Sequence, residues 1–216
     1  PAARLRAHGA IVEISADDLA MSDQEAAALL GGAGVDTGAR EVDGLVRRTE
    51  GWPAGLYLAA LAMRAGSPGA EAGFSVTGDD RFVGDYLRSE LLDRVSQTDV
   101  AFLTRTSILD RMCGGLCDAV LGGTRSSLTL EHLESRNLLV VPLDRRREWY
   151  RYHNLFRELL HTELRRREPE LVDQLHSRAA RWYEANALPE AAIEHAKAAG
   201  DAEQVTRLVL NVMQPA

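Results

Sequence analysis

Apolar positions recur at three- and four-residue spacing along most of the chain, which predicts a protein built mainly of amphipathic helices. Ser22-Asp23-Gln24-Glu25, a serine with a glutamate three residues on, forms a capping box ahead of Ala26, Leu29 and Leu30. Gly31-Gly32-Ala33-Gly34 ends that helix. Residues 41–49 read as a second helix, with Val42, Leu45 and Val46 facing inward. A third opens at Pro53, whose missing N–H and fixed φ suit the first helical position. It turns Leu56, Ala59, Ala60 and Met63 to one face. Ahead of all three, residues 10–14 (Ala-Ile-Val-Glu-Ile) read as a short strand.

Residues 67–80 are rich in Gly, Pro, Ser and Asp and read as a linker. Beyond it, residues 82–95 carry Phe82, Val83, Tyr86, Leu87, Leu91 and Leu92 at helical spacing. Val100, Phe102, Leu103, Ile108 and Leu109 continue the helical block, residues 116–121 add a short helix, and 128–137 add another anchored by Leu130 and Leu133. The period then changes. Residues 138–143 and 149–152 flank a charged turn and predict a β-hairpin, so helices followed by a hairpin outline a winged helix. Leu155, Phe156, Leu159, Leu160 and Leu164 define the next helix, and Leu171, Leu175, Ala179, Trp182 and Tyr183 another. Ala191, Ala192 and Ala196, then Val205, Leu208 and Val209, complete a pattern that reads as the start of a helical-repeat array.

Composition narrows the function. The 216 residues have 45% hydrophobic and 26% charged content, ordinary for a globular protein. A net charge of −7 argues against nucleic-acid binding by the chain as a whole. No apolar run is long enough to cross a bilayer and no signal-peptide pattern opens the chain, so a cytoplasmic protein with no membrane partner is expected. Two cysteines are too few for a disulfide framework. The first residue is Pro1, which predicts a piece of something longer. Lys197 is the only lysine and is followed by Ala198, so a phosphate loop ending in Gly-Lys-Ser/Thr is not encoded and no nucleotide hydrolysis by this chain alone is expected.

Few residues offer chemistry. Cys113 and Cys117 are spaced for one helix face, but zinc wants four ligands and no second pair follows, so they read as structural thiols and no metal is expected. His161 and His176 fall on polar helix faces, without an assigned role. His153 differs, standing between a strand and a helix in Tyr152-His153-Asn154-Leu155-Phe156. There Asn154 can cap the helix and His153 would emerge at a domain edge, able to donate to an anion. The helix opening at Gly51-Trp52-Pro53 reads two ways: a capped core helix with Trp52 as a plug, or a site where free N–H groups meet a phosphate. Residues 145–147 and 165–167 are all arginine and would suit DNA phosphates, yet Asp144, Glu148, Glu163, Glu168 and Glu170 dilute their field. No catalytic constellation can be assembled.

Three segments in one order carry a resemblance. Arg48-Thr49-Glu50-Gly51-Trp52-Pro53-Ala54-Gly55-Leu56 resembles the Gly-x-Pro segment of STAND-type signalling ATPases, above all the large ATP-binding transcriptional regulators of the LuxR family that include the maltose-regulon activator. Tyr152-His153-Asn154-Leu155-Phe156-Arg157-Glu158-Leu159-Leu160 is similar to their winged-helix segment, at the place of the Met-His-Asp motif of plant resistance-protein ATPases. Asn154 stands where that motif has Asp, and Tyr152 where it has Met. Residues 187–208, with Glu190-Ala191-Ala192-Ile193-Glu194-His195-Ala196, resemble the opening of the family's helical-repeat sensor domain. Arg4-Leu5-Arg6-Ala7 and Gly9, before the strand, resemble the end of its nucleotide-binding core.

The resemblance implies a mainly α protein made from the middle of such a regulator. Residues 1–14 would end the nucleotide-binding core, 15–66 form an AAA+-type helical lid, 67–80 a linker, 81–168 the winged helix and 169–216 the first TPR-like sensor helices. It further implies that ATP or ADP is the cofactor of the full-length protein, held with the help of Gly51, Trp52, Pro53, His153 and Asn154, and that none is bound by this chain alone. His153 would sense phosphate on ADP and hold the off state. The implied partners are the protein's own core and sensor domains, further copies on activation, and DNA through a separate C-terminal domain. Two other readings stay open: a winged helix that binds DNA directly, and an interaction scaffold without nucleotide.

Overall fold

The computed structural model describes residues 16–65 and 80–213, with 8, 10, 12, 14 and 78. The strand expected over 10–14, the core-end segment before it and the linker expected over 67–80 fall wholly or mostly outside these residues. The rest is mainly helical with one small antiparallel hairpin, and it divides into two compact units: Pro1–Val76 with Asp80–Val83, and Thr77–Asp79 with Gly84–Ala216.

The first unit holds α1 (Ala16–Leu19), α2 (Asp23–Gly32), α3 (Ala39–Thr49) and α4 (Pro53–Arg64). Helix α1 escaped the sequence reading because four residues are too few to show a period. The capping box forms as its spacing requires: Ser22 Oγ accepts from Glu25 N–H, and the Glu25 carboxylate accepts from Ser22 N–H at 2.9 Å. Helices α2, α3 and α4 close on Ala26, Leu30, Val42, Leu45, Leu56, Ala59, Ala60 and Ala62, all buried. Met63 lies only half-buried, and Ala62 takes the inward place expected of it.

Helix α5 (Arg81–Glu90) stops five residues earlier than its apolar period suggested, and Leu92–Arg94 forms a single 3₁₀ turn. The second unit then builds a winged helix. Helices α6 (Gln97–Thr106), α7 (Gly114–Leu121) and α8 (Ser126–Ser135) precede β1 (Val140–Pro142) and β2 (Tyr150–Tyr152). The strands pair with Val140 opposite Tyr152 and Pro142 opposite Tyr150. Met112 and Tyr150 exchange two further backbone hydrogen bonds of 2.8 Å, tying the hairpin to the loop before α7. Leu103, Leu109, Leu116, Leu130, Leu133 and Phe156 fill the space between helices and hairpin without exposure.

Four helices follow: α9 (Asn154–Arg167), α10 (Val172–Ala185), α11 (Pro189–Ala198) and α12 (Ala202–Met213). Helix α9 packs on α6, while α10, α11 and α12 pack in sequence through small residues, Ala179, Ala180, Ala192 and Ala196. Those alanines let helix axes approach closely. No helix among the described residues is long and apolar enough to cross a membrane.

Candidate functional site

The residues singled out for nucleotide contact fall in two places, one in each unit. In the first unit α3 ends with Glu50 in the left-handed region, φ 52°, followed by Gly51 at φ 69°. Gly51 N–H donates to Val46 O, and Gly51 O accepts from Met21 N–H at 2.8 Å. A Cβ on Gly51 would lie 2.9 Å from both Met21 N and Met21 O. Glycine is thus required here by a close backbone approach within the unit as well as by its φ. Pro53 takes the first turn of α4, as the sequence predicts, and Trp52, read there as a plug, is its half-buried cap residue.

In the second unit β2 runs directly into α9. Tyr152 is sealed in the core, where its hydroxyl and Thr106 Oγ1 are 2.7 Å apart and its ring meets Phe156 edge to face at 6.0 Å. Burial pushes the Tyr152 phenol far up, so it remains a neutral hydrogen-bonding group. The hydroxyl anchors β2 to α6, a job that a methionine thioether at this place would do far more weakly.

His153, not Asn154, occupies the cap position of α9, and Asn154 is the first helical residue. The reason lies in two backbone bonds. His153 N–H donates to Leu139 O at 2.9 Å, continuing the hairpin, and His153 O accepts the first α9 bond from Arg157 N–H at 2.9 Å. The imidazole does not emerge at an edge: His153 is 6% exposed, because hairpin and helix close around it. Arg157 on the first turn pairs with Asp110, and Glu158 Oε2 accepts from Gly78 N–H at 2.7 Å.

Other candidates resolve as structure. Cys113 caps α7 and Cys117 is buried in it, with desolvation pushing its thiol far above the usual range. Of the arginine clusters, Arg147 pairs with Glu134 at 3.1 Å and Arg166 and Arg167 both reach Glu163, while Arg145, Arg146 and Arg165 are exposed with no ion pair among the described residues. Helix α8 stands where a recognition helix would, and its charged residues are Glu131 and Glu134, with no arginine or lysine. A DNA-phosphate surface needs the opposite sign.

His161 and His176 are corrected too, for both are half-buried rather than on polar faces. His176 meets His195 across α10 and α11, Tyr183 stacks on His195 at 5.3 Å, and Trp182 lies edge-on to Tyr183 at 5.4 Å and to Trp149 at 6.4 Å. This aromatic cluster was missed in the sequence. The one signal for it was the seven-residue spacing of His176 and Tyr183, which puts both on one helical face. No group of three or more metal-ligating side chains forms among the described residues.

Known proteins provide a frame for these places. Residues 88–172 match the family described as MalT winged helix domain. The chain is 34% identical over 210 residues, 97% of its length, to serine/threonine-protein kinase PknK of Mycobacterium tuberculosis. It is 31% identical over 220 residues, again 97% of its length, to HTH-type transcriptional regulator MalT of Klebsiella pneumoniae. It spans only 19% of the kinase and 24% of the regulator.

Proposed function

We propose, on the premise that residues 88–172 form a MalT-type winged-helix domain, that the chain is the switch section of a STAND-type transcriptional regulator. In the full-length protein, the lid around Gly51, Trp52 and Pro53 and the winged helix around His153 and Asn154 close over ADP in the resting state. Inducer and ATP favour the open arrangement, in which copies associate and a separate DNA-binding domain acts. Such coupling needs a nucleotide that binds the two arrangements with different affinity.

One observation carries this reading: His153 heads a fourteen-residue helix, held there by backbone bonds on both sides. Its imidazole and the first-turn N–H groups of α9 make a donor set that suits a phosphate oxygen. ATP or ADP would supply that phosphate, and the His153 ring would donate to it in the closed arrangement. Asn154 extends the donor set by one residue. Gly51 contributes through backbone geometry, letting Trp52 and Pro53 start α4 where they do. The kinase relative carries a similar section beside a different output, which fits a portable switch.

The experiment is His153→Ala in the full-length protein. Faster ADP release and raised basal transcription are expected, with His153→Gln intermediate. Unchanged ADP affinity together with unchanged basal transcription would overturn the proposal. The acidic α8 weighs against direct DNA reading.

A further inference from the structure

Away from both segments, a cavity of about 750 Å³ opens in the second unit between the hairpin and the α10–α11 turn. Its size is that of a small-ligand or side-chain pocket, about 300–1,000 Å³. Four carboxylates line it, from Asp110, Asp144, Glu190 and Glu194, against the single guanidinium of Arg111. His195 on the same wall is held toward its neutral form: its Nδ1 meets His176 Nδ1 at 2.9 Å, and burial lowers its pKa below the ordinary value against the opposing pull of Asp110 and Glu194.

The carboxylates are not equivalent. Asp110 is paired with Arg157. Asp144 accepts backbone N–H bonds from Arg146, Glu148 and Trp149, so it holds the hairpin turn. Glu190 and Glu194 are different: both are exposed, one turn apart on α11, and neither has a hydrogen bond or ion pair among the described residues. Beside them the aromatic wall is fixed in place. Tyr183 stacks on His195, donates to Arg111 O at 3.4 Å, and is kept neutral by burial that raises its pKa to about 12. Trp149 stands edge-on to Trp182 and lines the cavity.

We propose that this cavity binds a guanidinium group on an aliphatic stem. Glu190 and Glu194 accept its N–H groups, and Trp149 covers its flat face. A planar guanidinium can do both at once, whereas an ammonium is a compact, strongly hydrated charge that gains less from a ring face. The volume beyond the head group accommodates the apolar stem against Leu143 and Leu188. The group arrives either on a free guanidino compound or on an arginine side chain of a peptide. Nothing in this site depends on nucleotide, so it stands apart from the switch reading.

Calorimetric titration of the full chain with agmatine and with N-acetyl-arginine-N-methylamide tests it, at low salt and again at high salt. Saturable binding by at least one probe is expected, weakened by salt. Loss of about tenfold or more is expected in Glu190→Gln/Glu194→Gln, whose exposed positions leave the fold intact by circular dichroism. Tighter binding of agmatine assigns a free guanidino ligand, and tighter binding of the peptide-like probe assigns a protein segment. The proposal is overturned if neither probe saturates at millimolar concentration, if the double variant binds as well as the parent, or if N-acetyl-lysine-N-methylamide binds equally well.

Discussion

The Nδ1 atoms of His176 and His195 lie 2.9 Å apart across α10 and α11, so one ring carries its proton on Nδ1 and the other accepts there. Desolvation, then the neighbouring His195 ring, pushes His176 down to about 4 from the ordinary 6.5, and desolvation lowers His195 as well. Between those values the unfolded chain binds more protons than the folded one. Stability is therefore full above about pH 6.5 and falls as the pH drops towards 4. Thermal melts between pH 7.5 and 4 should show this slope in the parent and a shallower one in His176→Gln. Equal slopes would mean the pair is not linked to folding.

Gly51→Ala should destabilise the first unit by about 2–3 kcal/mol, from a left-handed backbone forced on alanine and a Cβ pressed against Met21. Because the obstruction is backbone, relaxation cannot absorb it cheaply. Denaturant midpoints are the measurement, and a loss below about 0.5 kcal/mol, the scale of an ordinary surface change, would contradict the close approach.

Tyr152→Phe removes one buried hydrogen bond and keeps the ring packing against Phe156. Thr106 Oγ1 retains its bond to Phe102 O at 2.7 Å, so no donor is orphaned. The expected cost is about 0.5–1.5 kcal/mol, read from chemical unfolding of the second unit. A cost above about 3 kcal/mol, the range of an unsatisfied buried group, would show that Thr106 does not keep that partner.

Glu163 is fully buried and gathers Arg88 at 3.0 Å, Arg166 at 2.6 Å and Arg167 at 2.8 Å. Burial alone would raise its pKa, but hydrogen bonds from Arg166, Arg88 and Arg167 outweigh it and hold the carboxyl below the ordinary 4.5. This stabilisation is present above that value and is lost as the pH falls through the depressed one. Glu163→Gln should cost about 1–3 kcal/mol at pH 7 and less at pH 3, since falling pH erodes the advantage of the parent's ionised network. Equilibrium unfolding at the two pH values decides it.

Element type was legible in the sequence wherever burial repeats with a local period. Leu130 and Leu133, or Leu155, Phe156, Leu159 and Leu160, alternate with polar residues as a helix demands, and each is buried. The hairpin showed itself by the change of period after Asn137, and α4 by Pro53. The Ser22–Glu25 box and the turn at Gly51 were also within reach, since capping and positive φ are properties of a few adjacent residues, whereas the approach of Met21 to Gly51 was not.

What stayed hidden depends on partners far along the chain. The cap of α9 moved from Asn154 to His153 because Leu139, fourteen residues earlier, accepts the His153 N–H. That same contact buries the imidazole that was expected at an edge. His176 and His195 each look like ordinary helix-face residues until α10 and α11 turn back on one another. The cavity lined by Trp149 and Glu190 joins a hairpin to a helix forty residues later. A single period reports which face of an element is buried, whereas long-range contacts decide what that face meets and which polar groups remain open for a ligand.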